Sequence, residues 1–123
     1  MRIRPERVAE AMKREVADII ANRLRDPRLS TMISVTDVEV TRDLSLARVF
    51  VSVLAGEPER ALVMAALARS AGFVRHELST RIELREMPEL RFALDTSIEQ
   101  GARVEELLRR IHDGEPAPDD EAQ

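Results

Sequence analysis

The chain is predicted to fold as one α+β layered domain, a three-stranded sheet with helices packed on one face. Three features carry this reading. Apolar residues recur at helical spacing near the start, two alternating runs flank a short polar turn, and helical spacing then resumes before a third alternating run. The 123 residues suffice for one modest core, and 44% hydrophobic with 34% charged content marks a globular chain.

Pro5 suits a first helical turn, and Val8, Met12, Val16, Ile19, Ile20 and Leu24 follow at steps of three and four. Asp26-Pro27 is expected to stop this helix, because proline pushes its predecessor out of helical geometry. Ile33 and Val35 alternate, then Val38 and Val40 alternate on the opposite phase, so a bulge is expected between them. A turn at residues 41–45 leads to Leu46–Leu54, where Ala47, Val49, Val51 and Val53 share one face. Leu46, Phe50 and Leu54 make the other face apolar too, which predicts a central strand in an antiparallel hairpin.

Pro58 opens the next helix, which runs through Leu62 to Leu67. Gly72 then interrupts it, and helical spacing resumes with Phe73, Val74, Leu78 and Ile82. A mid-helix glycine costs on the order of 1 kcal/mol against alanine, so two helices joined at Gly72 are expected. Leu90, Phe92 and Leu94 make the third strand. A last helix carries Val104, Leu107, Leu108 and Ile111, opened by a capping box of Ser97 with Gln100 or of Thr96 with Glu99. The domain is placed at residues 1–112. Residues 113–123 hold five acids and no base, and are expected to form a disordered acidic tail.

That tail hides the charge of the rest. The formal charge is −4, yet 19 bases face 18 acids in residues 1–112. Local clusters therefore decide what the surface attracts. Lys13 is the only lysine, and the arginine bias reads first as a GC-rich genome. The absence of cysteine excludes disulfides and cysteine-based zinc sites. No apolar run reaches the roughly 18 residues of a membrane span, and the charged start lacks a signal-peptide core. A soluble, cytoplasmic protein without membrane contact is expected.

Nothing converges into an active site. His76 and His112 are the only histidines, and neither has a metal-ligand spacing around it. No nucleophile elbow, phosphate loop or dinucleotide fingerprint is present. No catalytic residue, metal or cofactor is expected.

A helix starting at Gly72 would be different. Its free N–H groups suit phosphate oxygens, Ser70 is placed to cap it, and Arg75 lies one turn on. The simpler reading is that Gly72 only lets two helices pack or kink. With no Trp, no Tyr and three Phe that fit core positions (Phe50, Phe73, Phe92), base stacking is not expected. Any nucleic acid would be held by its backbone and shape.

Arg7-Val8, Asp26-Pro27-Arg28-Leu29, Val38 to Val40 with Arg42-Asp43-Leu44, Ala47-Arg48-Val49, Gly72-Phe73-Val74-Arg75, and Leu84-Arg85 before Pro88-Glu89-Leu90-Arg91-Phe92 occur in one order. Over roughly residues 3–112 this resembles the ribosome-binding factor A family of bacteria. The resemblance implies a type II K-homology (KH) domain, helix-strand-strand-helix-kink-helix-strand with a C-terminal helix. It implies that the phosphate-clamping GxxG loop gives way to a kink of alanine, any residue, glycine, here Ser70-Ala71-Gly72, with serine departing from the pattern.

By the same resemblance the protein would be a monomeric, non-catalytic assembly factor of the free 30S subunit. It would support late 16S rRNA maturation, 5′-end processing included, and growth in the cold. Small-subunit ribosomal proteins are a further class of partner. The expected rRNA contacts are Arg7, Arg14, Arg69, Ser70, Gly72, Arg75, Arg81 and Arg85. A competing reading, a protein-interaction module using the strand face or the tail, draws on the near-neutral core charge.

Overall fold

The computed structural model describes residues 4–112. The expected tail, residues 113–123, lies outside them. The elements are α1 (Pro5–Asn22), α2 (Pro27–Met32), β1 (Ile33–Val40), β2 (Leu46–Val53), α3 (Glu59–Arg81), β3 (Glu89–Leu94) and α4 (Ser97–His112). The fold is α+β, with a mixed three-stranded sheet packed against helices.

The strands are ordered β1-β2-β3, so β2 is central as its two apolar faces imply. β1 and β2 pair antiparallel, and the register slips between Val35 and Asp37, where the phase of the sequence changes. β3 runs parallel to β2, with Ala47 opposite Leu90 and Val49 opposite Phe92. Parallel neighbours need a long crossover, and α3 supplies it.

The core lies between one sheet face and the helices. Val8, Met12, Val16, Ile19 and Ile20 of α1 meet Val38, Ala47, Val49, Val51 and Leu90 of the sheet, closed by Val63, Leu67, Val74 and Leu78 of α3. α1 and α3 are also tied by charge. Arg81 donates to Asp18 at 2.6 Å and to Glu15 at 3.2 Å, and Arg23 stands 3.5 Å from Glu77. The Arg81 guanidinium, then the Asn22 amide, holds the Asp18 carboxyl below its ordinary range.

Two expectations are corrected here. α1 already ends at Asn22, with Arg23 as its C-cap, so Leu24 lies beyond it, and Pro27 instead starts the short α2, which buries Leu29 in the core. And α3 is one unbroken helix of 23 residues, not two joined at Gly72. Its buried stripe, Val63, Leu67, Val74 and Leu78, keeps phase through the glycine. Full burial of one such side chain contributes about 1.5–3 kcal/mol, so four of them outweigh a glycine that costs about 1 kcal/mol. Ser70 caps nothing, since its hydroxyl bonds back to the Ala66 carbonyl at 2.9 Å.

Among the described residues, α4 packs against no other element over an extended surface, and Val104, Leu108 and Ile111 are exposed. Its start is anchored by Asp95, which accepts the Thr36 hydroxyl at 2.5 Å and the Ser97 amide at 2.8 Å. Asp95 therefore caps the first turn. The Gln100 and Glu99 side chains of the expected capping boxes lie outside the described side chains.

Two outcomes follow for stability. A Cβ at Gly72 would meet nothing within 4 Å, so Gly72→Ala should raise the unfolding free energy by about 0.4–1 kcal/mol in urea titration. The Thr36 hydroxyl, then Ser97, depresses the Asp95 carboxyl. A depressed carboxyl contributes fully above its unfolded value near ~4, and the contribution is lost as pH falls through the folded value. Asp95→Asn should thus lower the urea midpoint at pH 7, and the gap to the parent protein should narrow as pH falls below about 4.

Candidate nucleic-acid interface

Helical spacing sorts the surface of α3. With the buried stripe facing the core, Arg69, Gly72, Phe73 and His76 occupy the exposed side at steps of three and four. The open space around Gly72 leaves bare helix backbone between Arg69 and His76. Phe73 is 43% exposed, which corrects its expected core position. In two separate helices Phe73 can join Val74 and Leu78 on a buried stripe, but in one continuous helix it falls outside that stripe. One aromatic face is therefore available to stack on a base.

Arg69 is exposed and bonds to no other described residue. It lines a small depression of about 170 Å³ with Asp26, Leu29 and Leu62, on the flank of α3 that meets α2.

Arg75 points to the opposite flank. Its Nε donates to the Pro88 carbonyl at 3.1 Å and its Nη2 to the Met87 carbonyl at 2.6 Å. These bonds tie α3 to the segment that leads into β3, where Pro88 is fully buried. The planar fork suits two adjacent carbonyls, a geometry lysine cannot reproduce. Both bonding edges of the guanidinium used here serve the fold.

Arg81 is likewise held, between Glu15 and Asp18. It is half-buried, and Asp18 chiefly raises its pKa. On α1, Arg7 and Arg14 stand one above the other at a spacing of seven, exposed and without a partner among the described residues. Arg85, in the segment between α3 and β3, is exposed, and no bridge to Glu83 or Glu89 forms; Glu89 stands 3.6 Å from Arg91 instead.

The expected contacts therefore separate into three groups. Arg7 and Arg14 line the exposed side of α1, with Arg85 beyond the α3 terminus. Arg69 and Gly72 share the solvent side of α3, with Arg69 about 18 Å from Arg81 along the axis. Arg75, Arg81 and Ser70 are engaged within the fold. Phe73 is the residue that sequence reasoning missed, and the unbroken phase from Val63 to Leu78 was the signal that places it outside.

His76 and His112 are exposed. Among the described residues, no group of three or more His, Asp or Glu side chains is placed to hold a metal ion. No described helix is long and apolar enough to cross a membrane.

Arg75→Ala should lower the unfolding free energy by about 1–2 kcal/mol in urea titration, and Arg75→Lys should not restore it.

Residues 4–108 match a family model described as ribosome-binding factor A. A relative of that name from Desulforamulus reducens is 50% identical over 115 residues, covering 94% of this chain and 95% of its own. The crystal structure of ribosome-binding factor A from Thermus thermophilus is similar at TM-score 0.65 and 27% identity, over 75% of this chain and 97% of that one. A Thermus thermophilus homology model fitted into a cryo-EM map of a 30S–RbfA complex is similar at TM-score 0.58 and 27% identity, over 72% and 91%.

Proposed function

The chain belongs to the ribosome-binding factor A family, and from that membership we propose that it binds the free 30S ribosomal subunit and supports late maturation of 16S rRNA, including its 5′ end. The family is one of non-catalytic RNA-binding factors. The observation in this chain that best supports RNA contact is the solvent side of α3, where Gly72 has open space around it between unpaired Arg69 and exposed Phe73. A backbone phosphate can approach a residue without a Cβ, while Arg69 supplies charge and Phe73 a stacking surface.

Arg7 and Arg14 on α1 and Arg85 beyond α3 act as flanking phosphate contacts in this reading. Arg75 and Arg81 act through the fold, by fixing the segment before β3 and the α1–α3 angle. The KH-type clamp is then replaced by a continuous helix that offers its side, not a loop that offers its amides. As an assembly factor, the protein shifts rRNA folding only as far as its affinities for immature and mature conformations differ. Work at this stage implies a cytoplasmic protein that acts as a monomer, with adjoining small-subunit proteins as neighbours, and a larger demand for it in the cold, when RNA refolding slows.

Cosedimentation tests the reading. The protein should run with free 30S subunits and not with 70S ribosomes; equal binding to both, or to neither, would overturn it. The combined Arg7→Ala, Arg14→Ala, Arg69→Ala and Arg85→Ala variant should keep its fold. Its log–log salt slope for 30S binding should be shallower by about 3 units, at roughly 0.7–0.9 per lost phosphate contact.

A further inference from the structure

α1 has a second flank. Its N-terminal half and the second half of β1 enclose an open groove of about 540 Å³. Glu6 and Glu10 reach it from α1 and Asp37 and Glu39 from β1, against Lys13 alone. All four acids are exposed, and none is ion-paired among the described residues.

The groove also holds an open strand edge. Among the described residues, β1 pairs only with β2. The Thr41 amide donates to the Leu46 carbonyl at 3.0 Å, and alternation from that bond turns the amide groups of Val40 and Val38 away from β2. In keeping with this, the Val38 N–H is taken by the Asp37 carboxylate at 2.9 Å. The Val38 carbonyl and both Val40 groups are left facing outward. Such an edge is a template for one more strand.

Acid stands on both sides of this edge. Asp37 and Glu39 project from the sheet face away from the core, while Glu6 and Glu10 sit on the helix that covers the core face. We propose that the groove docks an extended, lysine- or arginine-rich segment of another protein, which pairs along Asp37–Val40 as a fourth strand. Strand side chains alternate between faces, so consecutive cations would meet Glu6 and Glu10 with one set and Asp37 and Glu39 with the other. About four residues, or about 13 Å of strand, occupy the edge. With Lys13 in the groove and Arg48 opposite Glu39, two bases face the four carboxylates, and the remaining negative charge repels a phosphate backbone, so the site favours basic protein over RNA. None of its residues belongs to the RNA-facing set, so the two readings stand or fall separately.

A fluorescein-labelled octapeptide of alternating lysine and arginine, titrated into the full chain by anisotropy, tests this. It should bind, and the combined Glu6→Gln, Glu10→Gln, Asp37→Asn and Glu39→Gln variant should bind about tenfold more weakly with unchanged circular dichroism. The same peptide with N-methylated amides, which cannot pair as a strand, should also lose affinity. Hydrogen exchange at Val40 should slow on binding, a readout that needs no mutation. No binding, equal affinity of the N-methylated peptide, no protection at Val40, or displacement of the peptide by an rRNA oligonucleotide through this groove would each overturn the proposal.

Discussion

The parallel pairing of β3 with β2 is the constraint on which the rest of the structure depends. Antiparallel neighbours need only the turn at 41–45, but a parallel neighbour needs a crossover that climbs back along the sheet. α3 provides that climb as one rod from Glu59 to Arg81. Its length sets where β3 begins, and its buried stripe closes the core over the sheet. Arg75 then joins helix to strand by donating to the carbonyls of Met87 and Pro88, and the Glu89 N–H donates to the Ser45 carbonyl at 2.9 Å. A broken α3 would place neither the strand nor the side chains that project from the helix.

The same rod divides the arginines by task. Arg75 is drawn into the fold by carbonyls and Arg81 by carboxylates of α1. Arg69 has no such partner among the described residues. In the proposed reading, Arg69 beside an open glycine meets a polyanion. On α1, Glu6 and Glu10 line the groove at the β1 edge, while Arg7 and Arg14 are exposed outside it. Local charge in a near-neutral domain thus differs from place to place, a distinction lost in the total charge.

Much of this was legible from residue spacing. The phase change between Val35 and Val38 located the bulge, two apolar faces located β2 at the centre, and the α1 stripe matched its buried residues one for one up to Ile20. α2 was not legible, because six residues cannot show a helical period and Pro27 looks the same whether it ends one helix or starts another. Gly72 misled because local propensity was weighed without the packing that overrides it. Phe73 followed from that error, since an aromatic is read as core until helical phase shows otherwise. Arg75 was chosen as a phosphate ligand from its distance to Gly72, but spacing along a helix does not reveal that two carbonyls of a later segment lie within its reach.

The central claim is that α3 is one helix whose side, open at Gly72, receives the rRNA backbone. Gly72→Leu separates fold from contact most directly, by urea unfolding and 30S cosedimentation on the same preparation. Leucine is the better helix former and its Cβ meets no neighbour within 4 Å, so the unfolding midpoint should be unchanged or raised while its bulk blocks close approach and subunit binding is lost. A variant that unfolds more easily would contradict the continuous open helix, and a stable variant that binds the subunit as before would contradict the contact.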